Sequence, residues 1–445
     1  MTAADDGLFE DVLAAVSEPA REGEGGEVYE RRGTSLELTE DDRGFHASVS
    51  TERGFAVRLF RSGRTSFAAS GPSGARTLAG EARLLLARAR TRRGARPSPA
   101  PPGGAPVPAA PPARADEIAA RGLLVAFRRA LASASDGAAL LAETSLLLGA
   151  RTERVATTAG RDASFGSSTA TLVATVAART GVGRTSARVV AAAARPEELA
   201  LARLAHHAVD RVLLPLRGRP LEPGRWGLLL DPFVASPVVA RLAPAFFDED
   251  EDGLLAARTR GGRDAFASPA LTLVDGSSAP GGPVLTTHDG EGTPQGRTVV
   301  LDRGRLAARL TDVAAAQRLG TSPTGNALRR AFSEPPAIGI TNFFVDPSSG
   351  VPPLDLLRAL AKGFYAAVLI SRPEVDLAAD RFRLHVAGYW VEKGRATDAV
   401  SETLLSGRLS DFLRSVAAVG DDLKFIPAAG GGAGSPTLFV PKWKG

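Results

Sequence analysis

A chain of 445 residues holds material for about two to four domains, which excludes a single minimal module. Its 44% hydrophobic and 23% charged residues exclude wholesale disorder, and a formal charge of +5 without long basic runs gives no support to a nucleic-acid or membrane-surface role. Cysteine is absent, which excludes disulfides, thiolate metal ligands and thiol catalysis.

The opening MTAADDGLFEDVLAAV carries acid where a secretory signal needs base, and no run of about 18 apolar residues follows. A cytoplasmic protein without membrane segments is expected. Leu8, Val12, Leu13 and Val16 lie on one face of a short helix. Stretches 28–29, 35–38, 46–49 and 55–60 then read as short strands of an antiparallel meander, broken by Gly and charged turns, with a further strand at 65–69 and a helix over 75–92. Eight prolines fall between Pro97 and Pro112, a composition that cannot pack a core and reads as an extended linker.

Beyond it, 116–135 is helical in pattern, 145–148, 154–158 and 168–177 are β-like, and an Ala- and Leu-rich helix runs over 197–214. Strands are expected at 226–230, 271–274, 297–301, 338–345, 365–370, 382–390 and 437–440, with helices at 237–247, 354–363 and 408–417. The fold class is therefore α+β: an N-terminal antiparallel sheet with helices, then a β-rich C-terminal domain of curved or barrel-like antiparallel sheets. The boundaries read as an N-terminal domain at 1–96, a linker at 97–115, a middle segment at 116–220 joining the N-terminal domain, and a C-terminal domain at 221–445.

Local chemistry is sparse. Residues 248–253 match the D-x-D-x-D-G opening of a calcium loop, but Thr259 stands where the bidentate Glu belongs, so a solvated acidic loop is the better reading. Gly181 to Ser186 lacks the Lys and the upstream Gly of a phosphate loop. Five scattered histidines and no G-x-S-x-G elbow leave a hydrolytic triad unspecified, and on the 197–214 helix one of His206 and His207 should face the core boundary and the other solvent.

Two segments stand out: DGEGTPQGRT at 289–298 and GTSPTGNA at 320–327. Each crowds small, turn-forming and hydrogen-bonding residues between apolar elements, a pattern that fits either tight turns or backbone exposed for recognition. Together, with LDRGRL at 301–306 between them, they resemble the signature of the TldD/PmbA (TldD/TldE) family. The resemblance extends to GEVYERRGTSLELTE from Gly26 and RGFAVRLFRSGRTSFAAS from Arg53, to SPALTLVD at 268–275, and to 375–395 and 416–440.

In that family, the resemblance implies, one subunit (TldD) carries His-Glu-x-x-x-His on a helix plus a late Cys as zinc ligands, and a homologous partner (TldE/PmbA) lacks them. Here the helix after GLLLDP reads ASPVVARLAP from Ala235, without His or Glu, and the late Cys position falls in Ala, Gly and Ser only. The chain thus resembles the TldE/PmbA-type subunit. The resemblance implies no zinc on this chain, a zinc-bearing TldD-like partner in a heterodimer, and small unfolded peptides as substrate. It places Asp289, Glu291, Thr293, Pro294, Arg297, Thr324, Gly325 and Asn326 in a substrate cavity or at an interface, with no catalytic residue. Gly290 departs from the commoner D-D-E-G form, and the Pro-rich insertion is long. A peptide-binding scaffold without protease context, and a free-standing hydrolase with an unrecognised site, remain as alternatives.

Overall fold

The structure, a computed structural model, describes residues 7–18, 22–89, 117–181, 183–247 and 265–444. The Pro-rich stretch at 97–115 and the acidic stretch at 248–253 lie outside the described residues.

The N-terminal half is one six-stranded sheet of order β3-β2-β1-β4-β5-β6, formed by β1 (Gly25–Asp41), β2 (Gly44–Arg61), β3 (Arg64–Ser70), β4 (Ala139–Thr157), β5 (Asp162–Thr180) and β6 (Gly183–Ala193). The sequence read several short strands where the sheet has strands of 17, 18, 19 and 19 residues in β1, β2, β4 and β5. Gly33 and its charged neighbours look like a turn, yet Gly33 pairs in register with Glu52 on one side and Arg151 on the other. The true turns are two-residue hairpins such as Ser62–Gly63, where both residues take positive φ (49° and 75°), the geometry that matches strand twist.

Helices cover the sheet. Helix α1 (Leu8–Ser17) and α2 (Leu78–Arg88) set Phe9, Val12, Leu78 and Leu86 against Val28, Val57 and Leu59. Helix α3 (Glu117–Ser135) and α4 (Leu201–Arg217) set Leu124, Phe127, Leu204 and Val212 against Leu36, Leu38, Leu146 and Leu172. On α4, His206 is exposed and His207 stacks on the Phe233 ring at 4.0 Å between centroids.

The C-terminal half is built from two mostly antiparallel sheets around one apolar core. One has the order β10-β9-β8-β13-β20-β19, from β8 (Leu273–Gly276), β9 (Arg297–Asp302), β10 (Arg305–Leu306), β13 (Asn342–Val345), β19 (Lys424–Ala428) and β20 (Gly431–Ser435). The other has the order β15-β16-β14-β7-β21-β18, with β17 (Arg395–Arg408) paired to β16 (Arg381–Glu392); its remaining members are β7 (Arg225–Leu230), β14 (Lys362–Leu369), β15 (Glu374–Asp376), β18 (Ala418–Val419) and β21 (Leu438–Lys444). A two-stranded ladder joins β11 (Ala327–Leu328) to β12 (Ala337–Ile338). Helix α5 (Pro232–Leu242) packs against β20 and β19 and buries Val234, Val238 and Val239 in the core with Phe246 and Phe343. Short helices α6 (Val313–Leu319), α7 (Pro353–Ala359) and α8 (Leu409–Ser415) complete it.

The overall class is α+β, as the sequence implied. The single strand expected over 338–345 is two, because the chain leaves β12 and crosses to another sheet before β13. Strand β17 escaped the sequence reading: much of its length is exposed, so it lacks a continuous apolar signal. Among the described residues no helix is long and apolar enough to cross a membrane.

Candidate functional site: a cavity beside a buried ionic seam

The two halves meet along a seam of charge. Glu27, Tyr29 and Arg31 alternate along β1 with Val28, which packs under α1 and α2. Their face is covered by the loops before and after β11, so all three are 5% exposed or less. Arg58 on β2 joins two carboxylates, donating to Glu27 Oε2 at 2.6 Å and Glu291 Oε1 at 2.7 Å. Arg329 pairs with the other Glu27 oxygen, donates to Gly290 O at 2.8 Å and lies over the Tyr29 ring. Arg31 donates to Glu153 Oε1 at 3.0 Å and to the carbonyls of Arg329 (2.7 Å) and Arg330 (3.0 Å). Arg161 donates to Glu291 O at 2.8 Å and Thr293 Oγ1 at 3.0 Å. The Arg58 and Arg329 guanidinium groups hold the Glu27 carboxyl below its ordinary range, although burial alone would raise it. Phe332 closes the seam by filling the space at Gly54, where a Cβ would stand 2.2 Å from its ring.

The acidic loop predicted from sequence lies at this seam. Asp289 folds it: Oδ1 accepts from the backbone N–H of Glu291 (2.9 Å) and Thr293 (2.8 Å), and Oδ2 from that of Ala327 (3.0 Å). Glu291 also accepts from Val313 N–H at the start of α6. Thr324 Oγ1 donates to Asn326 Oδ1 at 2.7 Å and accepts from Thr311 N–H at 2.8 Å. Asn326 Nδ2 donates to Asp275 Oδ2 at 2.7 Å and Gly339 O at 3.0 Å, and Asp275 accepts twice more from Thr341. Gly325 has a φ of 76° and lies close against Pro294 O, where a Cβ would approach to 2.7 Å. The structure thus gathers Asp289, Glu291, Thr293, Pro294, Thr324, Gly325 and Asn326 around two linked turns. Arg297 stands apart, exposed at the start of β9 and paired with Asp346.

Burial, and next the Glu291 charge, push the Asp289 carboxyl up to about 7. Its unfolded value is about 3.9, so the folded chain holds the proton more tightly and loses stability as pH rises from about 4 to about 7. Replacing Asp289 by Asn removes that titration but turns an amide N–H toward Ala327 N–H or the Oδ1 donors. Urea denaturation at pH 5 and pH 8 should show a shallower pH dependence in the variant, which is also less stable at pH 5 by about 1–3 kcal/mol. Equal pH dependence in both proteins would mean that Asp289 is ionised throughout.

Beside the seam lies a cavity of about 330 Å³ lined from β4 and β5 by Arg151, Glu153 and Phe165 and from the C-terminal half by His288, Asp289, Gln295, Leu328, Arg329, Arg330 and the Ala429–Gly430 turn, among others. Arg151 also lines a second space of about 400 Å³ over the sheet, walled by Thr34, Ser35, Ser50, Glu52, Ser167 and Thr169. Of the residues singled out in the sequence, Asp289 lines the first cavity. The sequence reading missed Glu27, Arg31, Arg58, Glu153, Arg161 and Arg329. The available signal was an Arg inside an apolar run, as in Phe55-Ala-Val-Arg58-Leu59, because a cation flanked by buried residues implies a buried partner.

The second region of interest is the start of α5. Asp231 caps it by accepting from Phe233 N–H at 2.8 Å, and Tyr365 donates to its other oxygen at 2.5 Å. Burial raises the Asp231 carboxyl. Arg203 lies between Asp231 (3.6 Å) and Asp422 (3.5 Å). Burial and the Arg211 and Arg203 charges push His207 down to about 3, so its imidazole is neutral. Ser236 donates to Lys424 O. Helix α5 and strand β20, the two segments aligned with the zinc-ligand positions of the resemblance, therefore touch, but they bring Ala, Val, Ser and Gly together and have Arg203 and Lys424 nearby. This donor set does not fit a zinc dication: the carboxylates already face a guanidinium, and α5 offers neither imidazole nor carboxylate. Among the described residues no three His, Asp or Glu side chains are grouped to hold a metal ion.

Comparison with known proteins agrees with this architecture. Residues 225–444 match the family model described as the PmbA/TldA metallopeptidase C-terminal domain. A metalloprotease of Synechocystis is 26% identical over 170 residues (38% of this chain, 36% of that protein), and one of Methanothermobacter thermautotrophicus is 24% identical over 221 residues (48% and 47%). The chain thus matches between about a third and half of the length of these curated relatives. TldE from Thermococcus kodakarensis superposes with a TM-score of 0.84 over 99% of both chains at 18% identity, a likeness of fold.

Proposed function

Residues 225–444 form a PmbA/TldD-family C-terminal domain, and from that premise we propose that the chain is a TldE/PmbA-type, non-catalytic subunit of a heterodimeric metallopeptidase. In this reading a TldD-like partner supplies zinc and the hydrolytic step, and this chain supplies part of the chamber that receives small unfolded peptides in the cytoplasm. The observation that supports it is the contact between α5 and β20, the two segments that the family resemblance puts at the zinc-ligand positions, which pack there with small and apolar side chains. A zinc peptidase needs its metal to generate hydroxide and polarise the carbonyl, and neither Arg203 nor Lys424 does so. The cavity between the halves, meanwhile, retains polar groups suited to holding a peptide. Asp289, Glu291, Thr293, Thr324 and Asn326 shape its loops and perform no chemistry.

The test measures peptidase activity and bound zinc for three samples: this chain, the TldD-like protein of the same organism, and the two co-purified. Activity and zinc are expected in the co-purified sample and are lost when the partner's His-Glu-x-x-x-His is mutated. Turnover by this chain alone, without metal, would overturn the reading.

A further inference from the structure

The free hydrogen-bonding capacity around the 330 Å³ cavity is unevenly distributed. Its two carboxylates are engaged: Glu153 accepts from Tyr29, Arg31 and Arg151, and Asp289 from three backbone N–H groups. Of its cations, Arg329 is engaged in the seam, whereas Arg151 and Arg330 keep donors to spare. Arg330 is exposed, and among the described residues only its carbonyl is used, by Arg31. Arg151 lines both cavities and directs its Nε to Ser167 Oγ at 2.9 Å and to Glu153 Oε2 at 3.2 Å, with no partner for its Nη groups among the described residues. Gln295 lines the same cavity with both atoms of its amide buried and without a partner among the described residues. A buried amide without partners loses hydrogen-bond energy that a polar ligand would restore.

We propose that this cavity is a carboxylate-binding subsite, in which Arg151 and Arg330 supply the charge and the Gln295 amide supplies neutral hydrogen bonds to an acidic group of a peptide. The inference rests on the chain being a peptide-receiving subunit, and narrows its ligand to peptides that bring a carboxylate into the chamber. Guanidinium groups suit this task because their N–H donors match the two oxygens of a carboxylate. The cavity has room for one side chain or chain end.

The experiment titrates the full chain, alone and co-purified with the TldD-like protein, with four fluorescently labelled unfolded peptides of equal length. They are neutral with an amidated end, neutral with a free C-terminal carboxylate, amidated with an internal Glu, and amidated with an internal Lys. Tighter binding of one or both carboxylate peptides is expected; the one preferred identifies chain end or side chain as the source. Arg330→Gln, an exposed substitution that leaves the seam intact, should weaken that peptide about tenfold and leave the neutral amidated peptide unchanged. Arg151→Gln should do the same. As a control for general charge, Arg121→Gln on the solvent face of α3 should have no such selective effect.

Equal affinity for all four peptides, or a carboxylate preference insensitive to both arginine substitutions, would overturn the subsite while leaving the peptide-chamber reading intact. No binding of any peptide to either sample would overturn both.

Discussion

Arg58→Met should be the most damaging single change at the seam, costing about 3–5 kcal/mol, because it removes a cation from between two buried carboxylates while keeping an unbranched apolar stem. Glu27 would keep Arg329, but Glu291 would retain only the Val313 N–H on its far oxygen. The sign with pH follows from the Glu27 shift. Its carboxyl is held below its unfolded value, so its stabilisation is present above that value and fades as pH falls through the folded one. Without Arg58 that advantage shrinks, and the loss measured by urea denaturation should be larger at pH 8 than at pH 4. The double variant with Glu291→Gln should recover part of the stability, because Glu291 is the carboxylate left without a cation whereas Glu27 keeps Arg329. A loss below 1 kcal/mol at pH 8 would mean that water enters the seam and screens it.

Asn326→Leu is the second. Asn326 gives Asp275 one of its three hydrogen bonds and also satisfies Gly339 O, and both residues are buried. Leu fills a similar volume but donates nothing, so a buried carboxylate loses a donor; the expected destabilisation is about 3 kcal/mol at pH 8. Burial already pushes Asp275 up to about 6. Removal of the Asn326 donor raises it further, so at pH 5, where the group is neutral in either protein, the loss should be smaller. The same loss at both pH values would show that Gly339 O, not Asp275, is the partner that matters. Because Thr324 donates to Asn326, Thr324→Val should cost little on top of Asn326→Leu, whereas alone it should be measurable; the double-mutant cycle reads that coupling.

Asn326 sits in one of the two segments that made the chain recognisable, and Arg58 reaches the other through Glu291. The segments at 289–298 and 320–327 were conspicuous because they are dense in Asp, Thr, Asn and Gly, and the structure gives the reason: Asp289 and Asn326 act as side-chain hydrogen-bond hubs that tie the turns together beside their backbone pairings. Such residue types are visible in one dimension because turn chemistry is local. Helix α3 was legible to within a residue from its apolar spacing, and the strand β7 and the start of β9 were legible as apolar runs.

What stayed hidden was set by long-range contact. Strand β1 was cut in two because Arg31, Arg32 and Gly33 look like solvent-facing turn residues, and they become strand only when β2 and β4 pair on either side. Glu27, Tyr29 and Arg31 alternate as a solvent face would. They are buried because a loop some 300 residues later brings Arg329 and Phe332 onto that face. The sequence by itself therefore determined the α+β class, the position of the acidic and Asn-bearing turns, and a helix after GLLLDP that carries neither His nor Glu. The tertiary structure alone decided which charges are buried, that the acidic loop is joined to the N-terminal sheet through Arg58 and Arg161, and that a cavity lined by Arg151 and Arg330 lies beside the seam. The division has one physical cause: backbone propensity and turn chemistry act over a few residues, whereas the desolvation of a charge depends on whatever the rest of the chain packs against it.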